Sequence, residues 1–193
     1  MKKQSTNHKT FATDTVLPGD MSQEEYIERT LRVNHAGEYG AKYIYEGQLA
    51  VLKKKQSKNV QVIQHMHDQE CEHLEYFHNE LNRRKIRPSL FSPLWRIGGF
   101  ALGAVTASMS EKAAMACTVA VEEVIDKHYE DQLKKLPRSE NNLKNKIQKF
   151  QADELEHRDT ALACEAEKTV TYPVLTKVIS QISKMAISVA KKY

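Results

Sequence analysis

The chain has 193 residues, of which 40% are hydrophobic and 28% are charged, so it is long enough for one domain with a sizeable core. Its few prolines and glycines, and the lack of short alternating apolar runs, argue against an all-β protein and favour helices. The net charge of +4 is mild and no zinc finger, helix-turn-helix or aromatic RNA platform accompanies it, so nucleic acid is not an expected partner.

The chain begins with a polar, basic stretch that lacks the apolar segment of a secretory signal or membrane anchor. We expect residues 1–20 to form a disordered leader and residues 21–193 to form a single domain. A capping box opens this domain, because Ser22 can accept a backbone N–H and Glu25 can reach back to the cap. It predicts a long helix from Ser22 to about Lys54.

A second helix should run from about Asn59 to Arg84, since the residue before Pro88 is disfavoured in the α conformation. After that proline the chain is apolar on nearly every helical face. Residues 97–109 are too few to cross a hydrocarbon layer of roughly 30 Å. This crossover segment therefore predicts an element that lies in the membrane interface, with packing against the bundle as the alternative.

The second half of the chain repeats the pattern of two long helices. A second capping box at residues 108–111 predicts a helix that ends near Pro137, and another should run from about Ser139 to Lys168. A proline in the first turn at residues 171–173 predicts a final helix with apolar residues at helical spacing. The result is an all-α, ferritin-like four-helix bundle with additional short crossover and C-terminal helices.

One acidic pattern occurs twice, with a Glu thirty-two residues before a Glu-x-x-His motif. Glu-x-x-His places both side chains on one face of a helix, and a turn halfway to the first Glu folds that Glu back beside the motif. Two such hairpins would bring four carboxylates and two imidazoles to one point. The six candidate metal ligands are Glu38, Glu70, His73, Glu122, Glu154 and His157.

The chemistry of these six residues predicts a pair of metal ions. Four buried carboxylates need a cation or protons to neutralise them. Carboxylate and imidazole ligands without thiolates suit iron or manganese better than structural zinc, and they leave coordination positions open for dioxygen. A third Glu-x-x-His pair, Glu75 and His78, lies about 140° around the helix from Glu70, so we expect it on the surface.

Three further residues lie near the predicted ligands along their helices. Tyr129, seven residues after Glu122, returns to the same face and can line the pocket, although an ordinary core tyrosine fits equally well. His35 and Asp126 lie three residues before Glu38 and four after Glu122. They are candidates for hydrogen bonds that orient the metal ligands.

Several motifs together resemble the demethoxyubiquinone hydroxylase family of ubiquinone biosynthesis, over about residues 21–193. The resemblance implies a di-iron monooxygenase that hydroxylates the ring of demethoxyubiquinone with O₂ and reducing equivalents from NADH. It also implies that the six residues chosen by spacing hold two Fe ions. The motifs are RVNHAGEYGA at 32–41, DQE at 68–70 with His73, PLW at 93–95, AMACTVAVEE at 114–123 and ELEH at 154–157.

The resemblance further implies a polyprenyl quinone substrate, a membrane surface, and a lipid-binding partner protein or a homo-oligomer. A polar leader does not support a cleaved presequence, so we expect a peripheral protein on the cytoplasmic face of a bacterial membrane, or on the mitochondrial inner membrane in a eukaryote. Lysines along the apolar stripe of the C-terminal helix would attract anionic lipid. NADH rests on the resemblance alone, because no dinucleotide-binding glycine motif is present.

Two other functions use the same bundle. One is ferritin-like iron storage or ferroxidase activity, which requires a soluble cage exterior; the apolar crossover segment argues against it. The other is peroxidase activity of the manganese catalase or rubrerythrin type. The chain has no Cys-x-x-Cys iron site, which argues against rubrerythrin.

Overall fold

The computed structural model describes residues 21–192, which contain six α-helices and no strand. The predicted all-α bundle is confirmed, whereas the predicted leader lies outside the described residues. Single turns of 3₁₀ helix occupy Arg138–Glu140 and Ala166–Lys168. The helices are α1 (Gln23–Leu52), α2 (Val60–Arg84), α3 (Ser92–Met109), α4 (Glu111–Lys135), α5 (Asn141–Ala163) and α6 (Tyr172–Ala190).

The first capping box forms as predicted. The Ser22 hydroxyl accepts the Glu25 N–H at 3.1 Å, and the Glu25 carboxylate accepts the Ser22 N–H at 2.8 Å. These two bonds satisfy donors that the start of a helix leaves unpaired, so α1 begins at Gln23. At the end of α2, Lys85 adopts a left-handed conformation with φ 58°, three residues before Pro88.

Two predicted helix boundaries are wrong. The cap of α4 is Ser110 rather than Ser108, because α3 continues to Met109 and the Ser110 hydroxyl accepts the Ala113 N–H at 2.9 Å. The helix predicted to reach Lys168 ends earlier, since Glu165 takes a left-handed conformation with φ 66° that stops α5.

The four long helices form two hairpins. The turn between α1 and α2 and the turn between α4 and α5 lie at the midpoints that the spacing predicts, near Lys54 and Arg138. Helix α3 crosses between the hairpins and packs along α1, and α6 packs along α4. The two additional helices therefore cover one side of the bundle.

Helices α1 and α3 approach so closely that their backbones touch at two glycines. A Cβ atom at Gly103 would lie 1.9 Å from the carbonyl oxygen of Ile44, and one at Gly47 would lie 2.2 Å from that of Phe100. No side chain fits at either position. Gly98 on the same helix has no atom within 4 Å of its Cβ direction.

The two largest apolar clusters of the described core both include residues from each of the four long helices. Along each of these helices, the predicted acidic ligand lies between the residues that belong to one cluster and those that belong to the other. Apolar layers therefore cover the acids from both ends of the bundle and keep water away. From α1, α2, α4 and α5 in turn, the first cluster includes Leu49, Met66, Met115 and Ala161, and the second includes Leu31, Phe77, Tyr129 and Phe150.

Apolar side chains are also exposed along α3 and α6. We call this surface the apolar face. No helix within residues 21–192 is both long and apolar enough to cross a bilayer. The apolar face comprises Leu94, Ile97, Phe100, Val105 and Met109 on α3, and Val174, Val178, Ile182 and Met185 on α6.

Candidate metal centre

The six predicted ligands meet at the middle of the bundle, and each is at most 1% exposed. Their ligand atoms form two groups, and within each group these atoms all lie within 4.8 Å of one another. Glu70 and Glu154 belong to both groups. The centre thus offers two metal positions, each faced by one Glu of its own, one His and the two shared acids. The groups are Glu38, Glu70, His73 and Glu154, and Glu70, Glu122, Glu154 and His157.

Buried polar atoms without hydrogen bonds crowd this centre. Both carboxylate oxygens of Glu70 and of Glu154 lack a hydrogen-bond partner, and Glu38 and Glu122 each have one such oxygen. A buried polar atom left unpaired costs roughly 1–3 kcal/mol, and more if it is charged. Divalent cations would satisfy all of these atoms at once, and the donor set fits iron or manganese.

Both histidines direct the same ring nitrogen at the acids. The Nδ1 atom of His73 lies 3.2 Å from Glu154, and that of His157 also lies 3.2 Å from Glu154, in neither case with hydrogen-bond geometry. The opposite nitrogen, Nε2, donates to Asp153 in His73 and to Gln69 in His157, each at 3.1 Å. These bonds fix the rings with Nδ1 free to bind a metal ion.

The protonation of the centre depends on how its charges are balanced. Burial raises the pKa of Glu70 and of Glu122 well above the usual range, and the carboxylate of Glu154 raises both further. Burial also raises the pKa of Glu154, but the imidazoles of His157 and His73, each 3.2 Å away, outweigh burial and hold this pKa below the usual range. Without a cation Glu70 and Glu122 therefore tend to hold protons, which metal ions would replace.

Two buried tyrosines hold the acids that belong to one position only. The Tyr45 hydroxyl donates to Glu122 at 2.6 Å, and the Tyr129 hydroxyl donates to Glu38. Burial and the neighbouring carboxylates raise the pKa of both tyrosines, so both remain protonated donors. Each of these two Glu residues thus has one oxygen fixed by a tyrosine and one oxygen left for a metal.

An apolar cavity of about 290 Å³ leads to one side of the centre. Glu38 and Tyr129 line it, whereas Glu122, His157 and Tyr45 do not. We therefore call the position of Glu38 and His73 the cavity-side position and that of Glu122 and His157 the sealed position. The other lining residues come from α1, α3, α4 and α6 and include Ile44, Leu94, Leu102, Val121, Ile182, Ala186 and Ile187.

Comparison with known proteins identifies the family. The family model described as ubiquinone biosynthesis protein COQ7 matches residues 25–190, which include the whole centre. The chain belongs to the COQ7 family. This confirms the resemblance found in its motifs.

Several curated relatives are similar to this chain over most of its length. The 3-demethoxyubiquinol 3-hydroxylase of Rhodospirillum rubrum is 50% identical over 176 residues, which cover 91% of this chain and 82% of that protein. The mitochondrial 5-demethoxyubiquinone hydroxylase of Saccharomyces cerevisiae is 42% identical over 89% of this chain and 80% of its own length. The human mitochondrial NADPH-dependent 3-demethoxyubiquinone 3-hydroxylase is 44% identical over 86% of this chain and 77% of its own length.

Two of the residues expected to orient the predicted ligands form no hydrogen bond with them. The ring of His35 packs near His78 and Tyr39, burial lowers the pKa of His35 to about 4, and no hydrogen bond joins it to the six ligands. Asp126 accepts a hydrogen bond from Gln151 at 2.7 Å instead. As predicted, the third Glu-x-x-His pair, Glu75 and His78, is exposed.

Sequence reasoning missed three residues that do form hydrogen bonds with the predicted ligands, namely Asp153, Gln69 and Tyr45. A signal was present, because Gln69 and Asp153 each come directly before the Glu of a Glu-x-x-His motif. Each crosses to the histidine of the other motif. Their role depends on the register of α2 against α5, which the spacing within one helix does not specify.

Proposed function

We propose that this COQ7-family chain is a demethoxyubiquinone hydroxylase, a di-iron monooxygenase that adds a hydroxyl group to the substrate ring in a late step of ubiquinone biosynthesis. The observation that carries the proposal is a buried centre of four carboxylates and two imidazoles at the end of an apolar cavity. The names of the COQ7 relatives supply the reaction and the substrate class.

We assign the six converging residues as the ligands of two Fe ions. Bound iron would supply the activation of O₂ that organic side chains cannot provide. The chain itself contributes position and dryness: Glu70 and Glu154 face both metal positions, and the two apolar clusters exclude water. Tyr45 and Tyr129 keep one oxygen of each remaining acid in place.

The cavity suits the ring of a quinone. Its few polar groups include Asn34 and His128, and both are bonded to Gln132. Asn34 and Gln132 exchange two hydrogen bonds of 2.9 and 2.6 Å. Burial lowers the pKa of His128 to about 4, so this ring is neutral and adds no charge to an apolar site. We propose Asn34 and His128 as the polar contacts for the oxygens of the substrate ring beside Glu38.

The cavity, about 290 Å³, is small and lies just below the range of roughly 300–1,000 Å³ for ligand sites. A polyprenyl tail must therefore extend beyond it. Leu94 and Ile182 line the cavity and also belong to the exposed apolar face, so the tail can pass from the cavity onto that face.

We propose a reduced nicotinamide nucleotide as the source of electrons. The motif resemblance implies NADH, whereas the human relative is named NADPH-dependent. Residues 21–192 contain no strand, so this part of the chain has no strand-based dinucleotide site, and the quinone itself can carry the electrons to the metal centre.

The decisive experiment is a hydroxylation assay on the purified chain. The protein is loaded anaerobically with Fe(II), then given demethoxyubiquinone, NADH or NADPH in parallel, and O₂, with chromatography of the product. We expect hydroxylated quinone only with iron, reductant and O₂ together. Hydrogen peroxide consumption without quinone product would favour a peroxidase, and iron-filled cages in light scattering would favour storage.

Filling the cavity should impair the reaction without affecting the metal. We expect Ala186→Phe, which places a ring in the cavity, to lower kcat/KM for the quinone by roughly tenfold to a hundredfold, because the substrate ring is displaced from the centre. Iron content should stay at the wild-type value. The matched control, Ser188→Phe, adds the same ring to an exposed position of α6 and should leave kcat/KM unchanged.

We further propose that the chain is a peripheral membrane protein, on the cytoplasmic face of the bacterial cell membrane or on the mitochondrial inner membrane in a eukaryote. Two residues of the apolar face, Leu94 and Ile182, line the cavity. Nearby lysines can attract anionic lipid, because Lys177, Lys184, Lys191 and Lys192 lie on or just after α6. A lipid-binding partner protein or a second copy of the chain would be expected to share this face.

Charges on the apolar face should weaken membrane binding. We expect the double variant Ile97→Asp and Val178→Asp to reduce partitioning onto liposomes that contain phosphatidylglycerol by about tenfold or more, since a buried apolar side chain contributes roughly 1.5–3 kcal/mol. The control, Gln61→Asp with Asn145→Asp, adds two charges at exposed sites on α2 and α5. Equal partitioning of the two variants would contradict an interfacial role of this face.

A further inference from the structure

The two metal positions have identical ligand types but different neighbours behind their histidines. We propose that the cavity-side position binds its metal ion more tightly than the sealed position, because the carboxylate of Asp153 supports His73 whereas the neutral amide of Gln69 supports His157. This inference rests on the proposed function, since it takes the six residues as metal ligands.

The ligands themselves do not distinguish the positions. Each position has one Glu whose second oxygen is held by a tyrosine, one histidine presenting Nδ1, and the same two shared acids, Glu70 and Glu154. The charge and the number of donor atoms are therefore equal. Any difference in affinity has to come from groups beyond the ligands.

The hydrogen bonds behind the histidines do differ. Both are 3.1 Å long, so both orient their rings equally well. A carboxylate acceptor also stabilises the positive charge that a metal ion induces on the imidazole, and it makes Nδ1 a stronger donor. The amide of Gln69 carries no charge and supplies orientation alone.

The charge of Asp153 acts mainly on His73. Its side chain is 17% exposed, and the nearest cation, the Nζ atom of Lys149, lies 3.9 Å away on a side chain that is 58% exposed. Such an exposed pair is weakened by solvent screening. His73, in contrast, is 1% exposed, so its interaction with the Asp153 carboxylate takes place in a medium of low dielectric constant and is screened less.

A consequence is an ordered filling of the centre. The first ion occupies the position beside the cavity, and the second enters the sealed position, where Tyr45 and the first apolar cluster cover Glu122. A half-loaded protein therefore contains mostly single ions rather than a mixture of empty and paired centres.

Titration with Mn(II) alone tests this order in the full chain. Calorimetry gives the two dissociation constants, and electron paramagnetic resonance separates single ions from coupled pairs. For the wild type we expect two distinct steps and a signal of single ions at one equivalent. We expect Asp153→Asn to weaken binding in the first step by roughly 10–100-fold. Gln69→Glu should tighten binding in the second step. The double variant Asp153→Asn with Gln69→Glu should reverse the order in which the two positions fill.

The matched control is Glu156→Gln, which removes one charge from an exposed position of α5 without touching a histidine. It should leave both steps unchanged. Circular dichroism in the presence of a chelator checks that each variant is folded without metal. If Asp153→Asn is unfolded, the effect of Gln69→Glu on the second dissociation constant tests the inference.

The outcomes separate the two proposals. The inference is overturned if the chain binds two ions but Asp153→Asn and Gln69→Glu change neither dissociation constant. It is also overturned if each variant changes both dissociation constants equally. In either case the assignment of the metal ligands stands. A wild-type chain that binds no Mn(II) or Fe(II) would overturn the ligand assignment and, with it, this inference.

Discussion

Replacing either Glu122 or His157 with alanine is expected to abolish formation of the hydroxylated quinone. Both side chains face the sealed position, and no other acid or imidazole of the described residues is in reach to replace them. Loss of one member of a catalytic unit commonly lowers turnover by roughly 10³-fold or more. We expect each variant to hold at most one iron ion, measured by metal analysis beside the activity assay.

The control for this prediction is the neighbouring residue, Glu123. It is exposed, so Glu123→Ala removes an identical side chain from the same helix without altering the centre. It should retain both iron ions and full activity. Circular dichroism should show nearly wild-type helicity in all three variants, because the four-helix core remains. Full turnover by Glu122→Ala or His157→Ala would show that the ligand assignment is wrong.

The largest effect on stability is expected from Gly103→Ala. The new Cβ would lie 1.9 Å from the backbone oxygen of Ile44, and a helix backbone cannot move aside as a flexible side chain can. We expect a loss of roughly 3 kcal/mol in the free energy of unfolding, the upper end of the range for overpacked sites. Gly47→Ala, which meets the Phe100 oxygen at 2.2 Å, should behave in the same way.

Gly98→Ala provides the comparison within the same helix. No atom lies within 4 Å of its Cβ, and alanine favours helix over glycine by up to about 1 kcal/mol, so this variant should be as stable as the wild type or more so. Urea unfolding of the three variants measures the difference. If Gly103→Ala unfolds at the wild-type urea concentration, α1 and α3 do not pack as closely as described.

The convergence of the six predicted ligands could be predicted from sequence because it depends on local geometry alone. A fixed separation of thirty-two residues, with a turn at its midpoint, places Glu38 level with Glu70 in one hairpin and Glu122 level with Glu154 in the other. The start of α1 could be predicted for the same reason, since a capping box is a local pattern. The false start at Ser108 arose because two serines offer the same cap and only packing selects Ser110.

Relations between helices could not be predicted in this way. His35 lies near Glu38 along α1, but its ring faces the outer side of α2 at His78, and helical spacing alone does not say which neighbour a face will meet. The same limit concealed the bond from His73 to Asp153, eighty residues apart in sequence. The contact between α1 and α3 also could not be predicted, because it depends on two helix backbones approaching each other. A glycine allows such an approach, but its presence in the sequence does not indicate which helix will approach.

The small size of the cavity has a consequence for substrate range under the proposed function. An enclosure of about 290 Å³ beside Glu38 can grip an aromatic head, while everything beyond Leu94 and Ile182 remains outside the protein. Such an enzyme recognises the aromatic ring of its substrate and does not distinguish substrates by the number of isoprene units in the tail. Quinones with long and short tails should then be processed alike once they are delivered to the cavity mouth.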